Sequence, residues 1–132
     1  MLQLVRSLGL HKPDETPCGQ PVSIGEAHAL LEIAREPGMT QNGLAARLHL
    51  EKSTISRLAG LLEGRGWVRR VRDDRDARFI RLQLTRRGVT AHANIAASRS
   101  AKFNRIFDAI PADRRNDVVQ ALSVLLEVTR DT

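Results

Sequence analysis

Small polar and basic side chains share one face of the segment between residues 51 and 63. They are Lys52, Ser53, Thr54, Ser56 and Arg57. Hydroxyl groups donate to or accept from base edges, and a guanidinium binds a guanine edge or a phosphate. The opposite face is apolar at helical spacing, so the segment predicts an amphipathic helix whose polar face fits a DNA major groove. Taken alone, this face is equally consistent with an ordinary solvated helix surface.

A second basic group follows in a turn between two strand-like runs, residues 67–72 and 79–85. Arg75 and Arg78 lie at or near the tip of the predicted hairpin, where a narrow minor groove would attract a guanidinium. Asp76 is spaced to hold Arg78 before binding, which reduces the entropy lost when the arginine is fixed. The alternative is a surface ion pair that only tightens the hairpin and contributes less than about 1 kcal/mol.

Caps and apolar spacing indicate the elements that must position these groups. Ser23 and Glu26 have the spacing of a capping box, which predicts a helix over about 24–36. Thr40 is placed to cap a short second helix, so this helix and the segment after it form a helix-turn-helix. With a first helix over 1–10, a long helix over 86–108 and a last helix opened by Pro111, the order is α-α-α-α-β-β-α-α.

The formal net charge of +6 is concentrated in one stretch of the chain. Residues 52–87 hold eleven Lys or Arg against four Asp or Glu, a balance of +7, so the remaining residues sum to −1. A localised excess of this kind indicates a polyanionic partner rather than a solubilising coat. Of the 21 basic residues 18 are Arg, whose planar fork suits phosphates and base edges, although a GC-rich genome would give the same bias.

The composition argues against several other classes of protein. Hydrophobic residues make up 42% of the chain, as in globular domains. Aromatic residues are only 3%, so the chain lacks the aromatic side chains on which common single-stranded RNA-binding modules stack bases. One cysteine, Cys18, excludes an intramolecular disulfide framework. The first ten residues are too short an apolar run for a signal peptide, and no run could span a bilayer, so we expect a cytoplasmic protein with no membrane partner.

Five short motifs resemble, in their order, those of the MarR family of winged helix-turn-helix transcriptional regulators. They are Thr40-Gln-x-x-Leu-Ala-Ala46, Lys52-Ser-Thr-Ile-Ser-Arg57, Leu62-Glu-x-x-Gly-Trp-Val-x-Arg70, Asp76-x-Arg78 and Leu84-Thr-x-x-Gly88. The resemblance covers roughly residues 22–128 and implies a recognition helix over 52–63 and a minor-groove arginine, Arg78, supported by Asp76. It also implies a homodimer on a pseudo-palindromic operator of double-stranded DNA, repression as the outcome, and an affinity that responds to a small molecule, an oxidant or a metal.

The same resemblance sets the expected architecture: a mainly α fold in which a winged helix-turn-helix domain with a two-stranded wing is flanked by N- and C-terminal dimerisation helices. We expect a single MarR-like domain over 1–132, with the DNA-binding core at 22–88 and dimerisation helices at 1–10 and 89–130. The segment before the Pro-rich loop is shorter than is usual in the family, and the leucines of these helices have an alternative role in completing a monomer core. The predicted dimerisation residues are Leu4, Leu8, Leu122, Leu125 and Leu126.

Two other functional classes are alternatives to a DNA-binding regulator. The sequence has no phosphate-binding glycine loop, no metalloprotease motif and no converging catalytic groups, so neither an enzyme nor a cofactor is expected. A winged-helix protein-interaction module without specific DNA binding is the alternative. Such a module would not be expected to concentrate the basic charge, and its binding would lack the steep salt dependence of phosphate contacts.

A signal that relieves DNA binding would refine the function, and the sequence offers two candidates besides a small-molecule effector. Cys18, between a proline and a glycine, is the candidate thiol sensor, with an inert thiol as the alternative. A zinc site built from Cys18, Glu26, His28 and His92 would require widely spaced residues to converge. No metal site is therefore predicted.

Overall fold

The computed structural model describes residues 1–132, and its elements follow the predicted order. Two compact units are distinguished, Met1–Arg99 and Ser100–Thr132, and α5 contributes residues to both. The mainly α class with a two-stranded antiparallel sheet is confirmed. The helices are α1 (Leu2–Ser7), α2 (Ile24–Arg35), α3 (Gln41–Leu48), α4 (Lys52–Gly64), α5 (Arg86–Ala109) and α6 (Arg115–Arg130), and the strands are β1 (Val68–Arg72) and β2 (Ile80–Leu84).

Local hydrogen bonds set the starts of α2 and α3, as the sequence predicts. The Glu26 N–H donates to Ser23 Oγ at 3.1 Å, and the Ser23 N–H donates to Glu26 Oε1 at 3.4 Å, so the capping box is complete. The Gly43 N–H donates to Thr40 Oγ1 at 2.9 Å at the start of α3. Helix α3 ends at Leu48, and the left-handed backbone of its C-cap, His49 (φ 54°), turns the chain towards α4.

The core of the first unit buries one stripe of each of α2, α3 and α4 together with residues of both strands. The apolar positions predicted for α4 are all inside, which leaves the opposite face of that helix to solvent. Burial of each large aliphatic side chain contributes about 1.5–3 kcal/mol to the stability of the fold, so these contacts fix the position and orientation of α4. The largest fully buried side chains are Leu30, Ile33, Leu44, Ile55, Leu62, Val68 and Leu82.

The hairpin pairs β1 with β2 in antiparallel register and leaves a turn of seven residues, 73–79, between them. Leu82 is buried while Ile80 and Leu84, which face the same side of the strand, are partly buried, as in a strand with one face towards the core. The Leu82 N–H also donates to the Met39 carbonyl at 2.9 Å, and the Gly38 N–H donates to the Leu82 carbonyl at 3.2 Å. The hairpin is therefore fastened to the turn between α2 and α3.

Helix α5 begins in close contact with the residues that precede β1. Thr85 Oγ1 donates to the Gly66 carbonyl at 2.5 Å and accepts from the Gly88 N–H at 3.0 Å, and the Thr85 N–H donates to the Trp67 carbonyl at 3.0 Å. A Cβ atom on Gly88 would collide with the Trp67 carbonyl group. Glycine is thus required where the first turn of α5 meets the backbone of Trp67.

The second unit shows one small departure from the sequence prediction. Pro111 does not open α6 directly, because a 3-10 turn over Ala112–Arg114 intervenes and α6 begins at Arg115. The Arg115 Nε donates to the Ile110 carbonyl at 3.0 Å, and the guanidinium carbon of Arg115 lies 5.6 Å from the centroid of the Phe107 ring. Arg115 therefore stabilises the turn between α5 and α6.

Candidate nucleic-acid interface

The polar face predicted for residues 52–57 is open to solvent in the structure. Lys52, Ser53 and Arg57 are exposed, while Thr54 and Ser56 are half-buried. Their side chains take part in none of the hydrogen bonds or ion pairs within the chain, so each hydroxyl and cation is available to a ligand. The residues lie in the first half of α4, where base contacts from a recognition helix are made.

Two ion pairs hold the C-terminal end of α4. Arg70 of β1 donates from its Nη2 to Glu63 Oε1 at 3.1 Å, which ties the helix to the wing. Arg65, the C-cap of α4, donates from its Nε to Glu26 Oε2 at 2.6 Å and lies 5.0 Å from the centroid of the Trp67 ring. These contacts link α4 to α2 and to the start of β1.

The charged state of Glu26 is favoured in the folded protein. Burial acts to raise its pKa, but hydrogen bonds from Arg65 and from Ser23, with the attraction of the Arg65 charge, act against it and leave the pKa below its ordinary value. Hydrogen bonds from Arg70 likewise hold the pKa of the Glu63 carboxyl below its usual range. Both carboxylates therefore stay ionised at neutral pH and keep their arginines in place.

The wing tip contains the predicted pair of Asp76 and Arg78. The Arg78 Nη2 donates to Asp76 Oδ2 at 2.7 Å, its Nε donates to Oδ1 at 3.0 Å, and its backbone N–H also donates to Oδ1, at 3.1 Å. This side-chain fork lowers the pKa of Asp76 and raises that of Arg78. The Arg78 side chain is nevertheless 85% exposed, so it is held in one orientation while its outer edge faces solvent. Arg75 is also exposed and its side chain makes no contact of this kind.

The structure divides the basic segment into paired and unpaired cations, a division that the sequence does not reveal. Lys52, Arg57 and Arg75 have no acidic partner, whereas Arg65, Arg70, Arg78 and Arg81 each have one. Three of these pairings, Arg65 with Glu26, Arg70 with Glu63 and Arg81 with Asp73, are not apparent from the sequence. Asp73 lies eight residues before Arg81 across the hairpin, so the strand register would have identified that pair, whereas Glu63 lies in α4 and meets Arg70 through the packing of α4 against β1.

The predicted dimerisation residues lie mostly on the surface. Leu4, in α1, is 56% exposed, and Leu8, the residue after α1, is half-buried. Helix α6 has no buried residue. Leu122, Leu125 and Leu126 are 59%, 49% and 55% exposed. These three leucines do not complete the core of a single chain, which was the alternative to a role in dimerisation.

The two candidate sensor groups differ in what the structure shows. Cys18 is a free, partly buried thiol whose Sγ lies 2.9 Å from Thr16 Oγ1. The zinc alternative is not formed, because Cys18, Glu26, His28 and His92 do not come together: no three metal-ligating side chains converge anywhere in the chain. No helix combines the length and the apolar character that a membrane-spanning segment needs.

An open cleft of about 470 Å³ lies in the first unit beside the Arg65–Glu26 pair. Arg65 and Trp67 form one side, and the first turns of α5 contribute Arg86, Arg87 and Asn94. Neither Arg86 nor Arg87 has an acidic partner in the structure, so positive charge in this cleft is not neutralised by the protein. The cleft has the volume of a small-molecule site and carries positive charge that the protein does not balance.

The arrangement of helices and wing is shared with proteins of one family. The model of the MarR family matches residues 20–78. A curated relative, the HTH-type transcriptional regulator SarZ of Staphylococcus haemolyticus, is 27% identical over 95 residues, a match that covers 70% of this chain. The chain spans 62% of the length of that relative.

Solved structures resemble the whole chain. The crystal structure of MarR is 27% identical with a TM-score of 0.71, covering 99% of this chain and 89% of that chain. FabT of Streptococcus pneumoniae, solved in complex with DNA, has a TM-score of 0.76 at 22% identity and covers 98% of this chain and 88% of its own. PcaV of Streptomyces coelicolor, solved with its natural ligand, has a TM-score of 0.72 at 22% identity, covering 97% of this chain and 88% of its own.

Proposed function

We propose that this chain is a transcriptional regulator of the MarR family that binds a pseudo-palindromic site in double-stranded DNA as a homodimer. The proposal rests mainly on one observation: the first unit has both an unpartnered polar face on α4 and, at the wing tip, the Arg78 side chain held by Asp76. Repression, the outcome that the sequence resemblance implies, is part of the proposal. As a regulator of this kind the chain is not an enzyme.

The chemistry of α4 supports base recognition in the major groove. Ser53, Thr54 and Ser56 offer hydroxyls that are not used inside the protein, and Arg57 offers a fork that matches the guanine O6 and N7 atoms. Lys52, at the first position of the helix, is suited to a phosphate contact. We propose that base preference comes mainly from Arg57 and the three hydroxyls.

The wing supports a second contact in the minor groove. Asp76 fixes the Arg78 side chain before DNA arrives, so less rotamer entropy is lost on binding than for a free arginine. Arg75 at the same tip is unpaired and is placed to reach a phosphate. A contact of this type reads groove width rather than a particular base, so losing it should weaken binding across many sequences.

The exposed apolar surface of the second unit supports a homodimer. We propose that this surface packs against the same helix of a second copy of the chain. A symmetric pair of DNA-binding units would then match two half-sites about one helical turn apart. Leucines and valines at this density are seldom left in water on a monomer. The side chains concerned in α6 are Val119, Leu122, Val124, Leu125, Leu126 and Val128.

We propose that a small anionic effector relieves DNA binding from the cleft beside Arg65. Arg65 caps the C-terminus of α4 and is held by Glu26, so an anion that competes for its guanidinium acts directly on the end of the recognition helix. Arg86 and Arg87 add the charge that would attract such a ligand. Oxidation of Cys18 is the alternative signal, and a Cys18→Ser variant that still releases DNA with the ligand but not with peroxide would distinguish the two.

The first experiment is selection of bound sequences from random duplex DNA by the purified protein, followed by titration of the best site at several salt concentrations. We expect a pseudo-palindromic site with half-sites about 10 base pairs apart. Arg78→Ala should weaken binding by about tenfold or more on all sites, and Asp76→Ala should reproduce part of that loss. Arg57→Ala should in addition change the selected bases.

Arg35→Ala is the matched control, because it removes one positive charge from α2 at a position whose partner is Glu32 and not DNA. It should bind within about twofold of the wild-type protein. If no sequence is enriched, and weak binding is the same for Arg35→Ala and Arg78→Ala, the chain is instead a protein-interaction module. Affinity that is insensitive to salt would lead to the same conclusion.

A further inference from the structure

Arg81 is positioned differently from the other arginines of the basic segment. From the sequence it alternates with Ile80 and Leu82 on the outward face of the second strand and adds to the positive charge. In the structure its Nη1 donates to the Gly38 carbonyl in the turn between α2 and α3 at 2.8 Å. Residue 81 also forms an isolated bridge with Thr40, directly before α3.

Asp73, the first residue of the turn after β1, completes this junction. Its Oδ2 accepts from the Arg81 Nε at 2.7 Å and lies 2.6 Å from the Arg81 Nη2. Its Oδ1 accepts from the Arg75 N–H at 2.8 Å, at the start of the wing tip. The Asp73 side chain is 10% exposed, whereas that of its partner is 46% exposed. The Asp73–Arg81 pair therefore connects the start of the wing tip, through Arg75, with the turn between α2 and α3, through Gly38.

We propose that Asp73 and Arg81 are positioning residues that set the orientation of the wing relative to α3 and α4, and hence the reach of Arg78 into the minor groove. The proposal rests on the DNA-binding function proposed above. Neither residue is placed in contact with DNA. The pair acts by keeping the wing in the one orientation in which both DNA contacts are made together.

The main-chain bonds between Leu82 and the turn before α3 hold the base of the hairpin but not its tip. Without the Asp73–Arg81 pair the tip can swing about that base. If the competent orientation were then occupied only about one-fifth to one-tenth of the time, the apparent dissociation constant would rise about 5–10-fold. The loss would come with little change in the free energy of unfolding, because the core below the wing is untouched.

A comparison of Asp73→Asn with Asp74→Asn tests this assignment. Both variants remove one negative charge beside the DNA, which by electrostatics alone should tighten binding equally. Asp74 is exposed and its side chain has no hydrogen bond or ion pair, so it is the matched control. We expect Asp74→Asn to bind as tightly as the wild-type protein or more tightly, and Asp73→Asn to bind about 5–10-fold more weakly. Arg81→Lys, which keeps the charge but loses the fork, should weaken binding in the same direction.

A double-mutant cycle with Arg78→Ala separates orientation from general damage. If the pair acts by positioning Arg78, removal of Arg78 should cost several-fold less affinity in the Asp73→Asn background than in the wild-type protein. Amide exchange in residues 74–79 should also be faster in Asp73→Asn than in Asp74→Asn. Equal affinities for the two asparagine variants, or an unchanged cost of Arg78→Ala, would overturn the assignment. Failure of the wild-type protein to bind any selected site would instead overturn the DNA-binding function itself.

Discussion

Replacement of Gly88 by Ala has two effects that predict changes of opposite sign in the free energy of unfolding. Helix propensity alone favours Ala over Gly by at most about 1 kcal/mol in α5. In the structure, however, the new Cβ would collide with the carbonyl group of Trp67 and lie 3.2 Å from its Cα. Both obstacles are backbone atoms, which cannot rotate away as a flexible side chain can.

The expected loss of stability follows from the contacts that the new methyl group would disturb. Overpacking of a well-filled site costs about 1–3 kcal/mol. Moving α5 away from Trp67 also weakens the Thr85 N–H bond to the Trp67 carbonyl, for about 1 kcal/mol more. After the propensity gain is subtracted, Gly88→Ala should lower the free energy of unfolding by about 1–3 kcal/mol.

Gly60→Ala is the matched control for this prediction. Gly60 lies within α4, and the nearest atom to a new Cβ there is the Arg70 Nη2, at an ordinary contact distance of 3.7 Å. Propensity should then act alone and stabilise the protein by about 0.5–1 kcal/mol. Urea unfolding followed by circular dichroism measures both, at one fixed protein concentration since association affects stability. The reasoning is refuted if Gly88→Ala is as stable as the wild-type protein, or if both variants lose stability equally.

Three further predictions follow from single contacts. The pKa of Glu26 in the folded protein is below its value in the unfolded chain, so ionised Glu26 stabilises the fold fully above about pH 5. This stabilisation is lost as the pH falls through the folded-state pKa. Glu26→Gln, which leaves Arg65 without its charged partner, should therefore make the free energy of unfolding less dependent on pH in the acid range. Thr40→Ala should cost about 1 kcal/mol in urea unfolding, because the Gly43 N–H loses its acceptor, and an unchanged midpoint would count against the cap. Leu125→Glu places a charge on the exposed apolar face of α6 and should prevent the proposed dimer, so sedimentation should give a monomer at concentrations where the wild-type protein is expected to associate.

Much of the architecture could be predicted from the sequence because its signals are local. The serine of the capping box lies three residues before its glutamate, and the cap of α3 has the same spacing, so both are visible in a short window. The alternation in β2 and the apolar stripe of α4 follow from the geometry of a single element. The Asp76–Arg78 pair was predicted for the same reason, since its members are two residues apart.

The start of α6 could be predicted only approximately. A proline before a helix marks its beginning, but the sequence does not distinguish an α-helical first turn from the 3-10 turn that the structure has. Gly60 illustrates a related limit. A glycine in a helix shows by itself nothing about its neighbours, and the structure places only the side chain of Arg70 nearby, at a distance that an alanine would tolerate.

The sequence by itself determined the order of elements, the polar face of α4 and the concentration of basic charge, because each depends on residue type and near spacing. Only the tertiary structure decided which arginines are free. Arg65 finds its carboxylate 39 residues away in the chain, and Arg81 finds a carbonyl 43 residues away, through packing of separate elements. It also decided that the leucines of α6 are exposed, because burial depends on what the rest of the chain covers. Partners of this kind are set by the fold, which brings distant residues together, and no local pattern encodes them.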